Sequence, residues 1–157
     1  MSYSIGTQGI ALIKQFEGLC LKSYRDVADI WTIGYGSTRL NGEPVRAGQT
    51  ITLEEATAAL IADTADIARF LEQCVVVPLT QNQVDALICF CYNLGVGAFQ
   101  TSTLRKTINA KQVVTEKMFT DWNKIRDPRN GNKLVPLEGL TRRRKAEYAL
   151  FTTQETA

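Results

Sequence analysis

Histidine is absent from the 157-residue chain. That absence removes several hydrolytic chemistries in their usual form. Zinc hydrolases commonly bind their metal through histidine, and Cys/His and Ser/His/Asp hydrolases need it as a base. An enzyme that works with carboxylates alone is still open. No apolar run approaches the roughly 18 to 20 residues needed to span a membrane. The opening stretch, MSYSIGTQGIALIKQFEG, lacks a basic segment followed by an apolar core, so no signal peptide is expected. The 4 cysteines, Cys20, Cys74, Cys89 and Cys91, form no Cys-x-x-Cys or zinc-ribbon spacing. Four cysteines allow three full pairings, and the spacing selects none. Buried free thiols are the expectation. Internal repeats and low-complexity tracts are missing as well.

The residues present suit one globular domain with a sizeable core. Hydrophobic residues make up 45% and charged residues 22%, both ordinary for a soluble fold. The formal net charge of +2 is unevenly placed. Residues 1–80 carry 6 basic and 9 acidic side chains, and residues 81–157 carry 12 and 7. A basic C-terminal half suits anionic polymers or membranes, but equally a solvated helix face with salt bridges.

Two carboxylates and a hydroxyl stand out in EGLCLKSYRDVADIWT. Glu17 and Asp26 have eight residues between them, and Asp26 and Thr32 have five. Glycosidic bonds are commonly cut by such an acid pair. With 16 Asp and Glu in the chain, an acid pair alone proves little, so the setting decides. Ile10, Ile13 and Phe16 give helical periodicity, and Gly18 reads as a stop signal. Glu17 is therefore expected in the last turn of helix 7–17. There the helix dipole and burial beside Phe16 would both favour a protonated acid, although an ordinary exposed Glu ending a helix fits too. Asp26 lies between strands expected over 21–24 and 31–35. It is either an acid in a cleft or the cap of a hairpin turn. Trp31, Ile33 and Tyr35 share one strand face. Thr32 and Gly34 point the other way, and the glycines of IGYGS would let a bulky ligand approach the backbone.

Elsewhere, Asn41-Gly42 reads as a turn, making 20–51 the only β-rich part. Thr52 with Glu55, and Thr80 with Gln83, are capping boxes. The first opens a long helix to about Gln73, with Ala56, Leu60, Ile67 and Leu71 on one face. The second opens the most apolar helix, which ends near Gly95. Residues 96–112 read as a turn and a short helix, 113–124 as a further helix, and 126–139 as a polar loop. The last helix follows Gly139. Arg142 to Lys145 look like a nucleic-acid or membrane patch, but four consecutive residues spread around a helix.

The spacing Glu17, Asp26, Thr32, followed by TIGYGST, resembles the phage-type lysozymes, muramidase endolysins of tailed bacteriophages. YNLGVGAFQTSTL (92–104) and GLTRRRKAE (139–147) match further motifs of that family in the same order. The resemblance implies an α+β, mainly helical fold: a small β lobe (18–51) and a larger helical lobe (75–157 plus 7–17), joined by a long helix, with the cleft between. It implies one lysozyme-like catalytic domain over 1–157, without a second, wall-binding one. The implied substrate is the peptidoglycan glycan strand, cut between N-acetylmuramic acid and N-acetylglucosamine. Glu17 would be the general acid, Asp26 would hold water or stabilise the cation, and Thr32 would help position the water. Tyr92, Asn93, Gly34 and Tyr35 would contact substrate. Arg143 or Arg144 would pair inward with acids near Glu17, which would oppose the shift toward the protonated form. The resemblance also implies inversion, with carboxylates about 6.5–9.5 Å apart.

It implies no cofactor, metal or nucleic-acid partner, and no membrane anchor is expected from this sequence. A monomer is expected, made in the host cytoplasm and reaching the wall with a separate pore-forming protein. Ser37 departs from the family pattern, where His is common, and that departure bears on local packing. The rivals are a lytic transglycosylase, for which Asp26 and Thr32 would be superfluous, a silent glycan-binding module, and membrane disruption by the basic C-terminal helix.

Overall fold

A computed structural model describes residues 2–154. It is a mixed α+β structure, mainly helical. The first helix, α1 (Thr7–Phe16), is followed by the hairpin β1 (Cys20–Arg25) and β2 (Trp31–Gly34), and by the short hairpin β3 (Arg39–Leu40) and β4 (Glu43–Pro44). Asn41 and Gly42 both take positive φ, as the two-residue turn of β3–β4 requires. The long helix α2 (Leu53–Cys74) opens on the complete Thr52/Glu55 capping box. Its 22 residues span about 33 Å. The buried stripe is Ala56, Leu60, Thr64, Ala68 and Leu71, with Ile67 only flanking it.

Helix α3 (Gln81–Leu94) opens on the Thr80/Gln83 capping box. Every residue from Val84 to Cys91 is buried, so this helix is the axis of the core. Helices α1, α2, α4 (Val96–Thr101) and α7 (Glu138–Thr152) all pack on it. An aromatic cluster closes the other side. Phe90 makes edge-on contacts with Phe99, Phe119 and Trp122, and Phe119 also meets Tyr148 and Phe151. All four cysteines are free; Cys89 and Cys91 are buried, because α3 is enclosed all round, whereas Cys74 is half-buried and Cys20 exposed.

Three readings of the C-terminal half need correction. The segment after Gly95 holds two helices, α4 and α5 (Thr103–Asn109), the second capped by Ser102. The expected helix over 113–124 shrinks to α6 (Glu116–Thr120). Asn123 leaves the helical path: its carbonyl accepts from Leu137 N–H and its side-chain amide donates to Thr141 Oγ1. The expected polar loop is a third hairpin, β5 (Lys124–Asp127) and β6 (Lys133–Pro136), so 20–51 is not the only β part. Ile125 pairs across from Val135, and Gly131 and Asn132 supply the left-handed turn. Helix α7 begins at Glu138, taking Gly139 into its first turn.

Helix α1 has no side-chain cap of its own at Gly6. The cap comes from α3 instead: buried Asp85 accepts from Gly6 N–H at 2.8 Å and from Gly9 N–H at 3.0 Å. The approach requires glycine, since a Cβ on Gly9 would lie 2.8 Å from Asp85 Cγ. In this way the helix that ends at Glu17 is pinned to the central helix at its start. Among the described residues, no helix is long and apolar enough to cross a membrane.

Candidate active site

Glu17 is the residue that caps the end of α1, one position past its last helical residue. Its N–H still bonds Ile13 O, but its backbone is extended and leads toward β1. Gly18 does not take the left-handed conformation, so the helix ends without a glycine cap. The carboxylate is one-quarter exposed, and Arg143 Nη1 donates to Oε1 at 2.7 Å. Arg143 is the inward partner expected from sequence, and its guanidinium also lies 5.9 Å from the Phe16 ring.

Behind that contact lies a buried cluster. Arg143 Nε donates to Glu147 Oε2 at 3.2 Å, and Nη2 donates to the Cys89 carbonyl at 3.0 Å. Arg144 Nη2 donates to Glu147 Oε2 at 3.0 Å and to Asn93 Oδ1 at 2.8 Å. The Arg144 guanidinium stacks 5.2 Å over Phe90. Arg143, Arg144 and Glu147 are all within 3% of complete burial. Burial pushes the Glu147 carboxyl above its usual range, against both arginines. Charges balance in the cluster, two arginines against Glu17 and Glu147. Glu147 is missing from the residues that sequence reasoning selected. Its signal was the spacing: four residues after Arg143 and three after Arg144, the two separations that share a helix face.

Asp26 sits in the turn between β1 and β2. Its Oδ1 accepts from Ala28 N–H at 2.8 Å and Ile30 N–H at 2.9 Å, which shapes the β1–β2 turn. Asp29 closes that turn with positive φ. Thus the turn-capping role is real, and it occupies one oxygen. Oδ2 has no hydrogen bond from the described residues. Thr32 is buried, and its Oγ1 donates to Ile30 O at 2.9 Å. Strand register sets Tyr24 opposite Thr32. Burial raises the Tyr24 phenol pKa, and the negative charges of Cys20, Asp26 and Glu17 raise it further. One half-exposed phenol therefore lies within electrostatic reach of both acids.

The expected substrate contacts divide in two. Asn93 is exposed beside Arg144. Tyr92 is half-buried, and its hydroxyl donates to the Tyr35 carbonyl at 2.7 Å. Burial keeps that phenol protonated far above neutrality, helped by Asp63 and Glu17. Gly34 and Tyr35 are placed differently from the sequence expectation. Both are buried. The room at Gly34 is taken by the protein itself: a Cβ there would face Ala56 and Ile51. The Tyr35 ring lies under Lys14 Nζ. It is Gly36 that keeps open space, since a Cβ there would meet only the Tyr92 hydroxyl, at 3.8 Å. Ser37 resolves the departure from the family pattern. It is buried and donates to Asp63 Oδ2 at 2.7 Å, so the serine supplies a donor to that acid.

Two carboxylates, one clamped by a buried cation and one with an oxygen that accepts no hydrogen bond from the described residues, suit a glycosidase. Comparison with known proteins agrees. The phage lysozyme family model matches residues 14–147, and the chain belongs to that family. It is 43% identical to an endolysin of Acyrthosiphon pisum secondary endosymbiont phage 1, over 94% of this chain and 97% of that protein. Among solved structures it resembles an endolysin from Escherichia coli O157:H7 phage FAHEc1, with a TM-score of 0.85 and 38% identity, covering 96% of this chain and 94% of that one. It also resembles the muramidase domain of SpmX from Asticaccaulis excentricus, with a TM-score of 0.87 and 35% identity, covering 97% and 99%.

Proposed function

We propose that this protein is an endolysin that hydrolyses the β-1,4 bond from N-acetylmuramic acid to N-acetylglucosamine in peptidoglycan. The observation that carries this reading is the Glu17 carboxylate held at 2.7 Å by buried Arg143, together with an Asp26 whose turn hydrogen bonds occupy one oxygen only and whose hairpin sets Tyr24 opposite Thr32. The muramidase named among its structural relatives supports the choice of bond.

Glu17 is the general acid. Arg143 engages Oε1, so Oε2 is the oxygen that delivers a proton to the leaving sugar. Asp26 takes the opposite side. Its Oδ1 is committed to the turn, and Oδ2 holds the attacking water or faces the developing cation. The Thr32 proton is committed to Ile30 O, so its oxygen helps position that water by accepting a hydrogen. Displacement from the face opposite the leaving group inverts the anomeric carbon, with the carboxyl groups about 6.5–9.5 Å apart. Asn93 contacts the glycan directly. Tyr92 and Gly36 form the cleft floor, and Gly34 and Tyr35 act from beneath it, Tyr35 through the carbonyl that fixes Tyr92. The whole chain works as one catalytic domain and as a monomer. It is made in the host cytoplasm and reaches the wall through a separate pore-forming protein, where it brings about cell lysis and phage release.

The test is mass spectrometry of purified peptidoglycan digested by the wild type and by Glu17→Gln. Reducing muramic acid ends from the wild type alone are expected. Anhydro ends would move the assignment to a lytic transglycosylase. Glycan left intact by the wild type would refute the glycosidase reading, and killing by Glu17→Gln would point to membrane disruption.

A further inference from the structure

Arg144 is completely buried, and no step of the proposed reaction uses it. Its guanidinium lies 5.2 Å over the Phe90 ring, and its Nε sits 2.8 Å from Glu147 Oε1. Nη2 donates to Glu147 Oε2 at 3.0 Å and to Asn93 Oδ1 at 2.8 Å, which uses both of its hydrogens. The bond to Asn93 leads out of the buried cluster, to an exposed amide near the end of α3. A guanidinium has donors and no acceptor, so the atom of Asn93 that faces it is the carbonyl oxygen, and a flipped amide is excluded. With Oδ1 held, Nδ2 is turned away from Arg144. It makes no hydrogen bond to the described residues. The Glu147 oxygen that receives Arg144 also receives Arg143 Nε at 3.2 Å, and Arg143 Nη1 reaches Glu17. One buried carboxylate thus orients two arginines, one toward Glu17 and one toward Asn93.

We propose that Arg144 is a positioning residue that holds Asn93 as a donor-only contact, whose Nδ2 hydrogens bind the acetamido carbonyl oxygen of a sugar in the cleft. A sugar hydroxyl both donates and accepts, so a fixed donor distinguishes it poorly from other polar groups. A carbonyl oxygen only accepts, and each sugar of the proposed substrate carries one on its acetamido group. Asn93 therefore selects N-acetylated glycan, and Arg144 sets the sign of that selection by fixing which end of the amide faces out. The inference rests on the reading of the substrate as the peptidoglycan glycan strand.

The test measures kcat and KM on purified peptidoglycan and on the same polymer after enzymatic removal of its N-acetyl groups. Asn93→Asp keeps an oxygen for Arg144 and loses the donor. Arg144→Lys keeps the charge but loses the planar fork that serves Glu147 and Asn93 together. The wild type is expected to lose at least about fivefold in kcat/KM on the deacetylated polymer, the effect of one hydrogen bond. In each variant that loss is expected to shrink to about twofold or less. On native peptidoglycan, the defect of Asn93→Asp is expected in KM rather than in kcat, since the contact binds ground and transition states alike. An Arg144 with a structural role alone would slow both polymers equally and leave the ratio intact. A wild type that does not distinguish the polymers would overturn the proposal, and so would a folded Asn93→Asp or Arg144→Lys with the wild-type ratio. Should Arg144→Lys fail to fold, Asn93→Asp decides. A wild type inert on both polymers would instead refute the substrate reading on which the inference rests.

Discussion

Glu17 draws its support from α3 and α7, through an arginine 126 residues away in sequence, whereas Asp26 draws its support from the four residues that follow it. The first acid is fixed by tertiary structure. Its guanidinium partner is buried, and that partner is held by a second buried carboxylate and by the backbone of the central helix. The second acid is fixed by a local turn whose hydrogen bonds form from neighbouring residues. The lesson is that one site holds two kinds of precision. Loss of the helical core should move Glu17 and spare the Asp26 turn, while changes at the turn should leave the core intact.

Arg143→Ala is the harshest way to break that contrast. It strips Glu147 and Glu17 of a buried partner, and losing one member of a buried pair costs about 3–5 kcal/mol. Denaturant unfolding should register that loss, and glycan hydrolysis should fall with it. Asp26→Asn sharpens the comparison from the turn. The amide oxygen still accepts from Ala28 and Ile30, so stability should change by no more than about 0.5 kcal/mol, while hydrolysis falls by about 10²-fold or more. An active Asp26→Asn, or one that unfolds readily, would break the contrast.

Gly9→Ala perturbs Glu17 from the far end of α1. The added methyl collides with Asp85, and overpacking of this kind costs about 1–3 kcal/mol. Urea titration should show the midpoint lowered, with a milder loss of activity. The smallest effect is expected at Asp63→Asn. Burial raises the Asp63 carboxyl pKa, more than the Ser37 hydrogen bond lowers it. The native state therefore binds that proton more tightly than the unfolded chain, and its contribution to stability declines as pH rises through and above the ordinary carboxylate range. Asp63→Asn removes this titration. Its Tm relative to the wild type should be higher at neutral pH than at pH values below that range.

Legibility from sequence followed the same division. The Asp26 turn, the Asn41-Gly42 turn and both capping boxes are local devices, and each was readable because its partners lie within four residues. The central helix was readable from its apolar content. The β5–β6 hairpin was not, because Lys124 to Pro136 is polar and exposed, and its strands are set by Ile125–Val135 pairing and by the exit of Asn123 toward α7. Tertiary partners were the least legible. Asp85 capping α1 from α3 has no local signature, and Glu147 showed only as a helical spacing. Arg143 was placed near Glu17 through family resemblance rather than through its own neighbours. Gly34 was misread because the space left by a missing side chain was filled by the protein's own helix α2 rather than by a ligand.

The most direct measurement is the hydrolysis rate of Glu17→Gln on purified peptidoglycan, with its unfolding free energy measured on the same preparation. Glutamine can still accept from Arg143 through its amide oxygen but has no proton to give. The account predicts a folded protein whose rate is lower by about 10²-fold or more. A folded Glu17→Gln that hydrolyses glycan at the wild-type rate would contradict it.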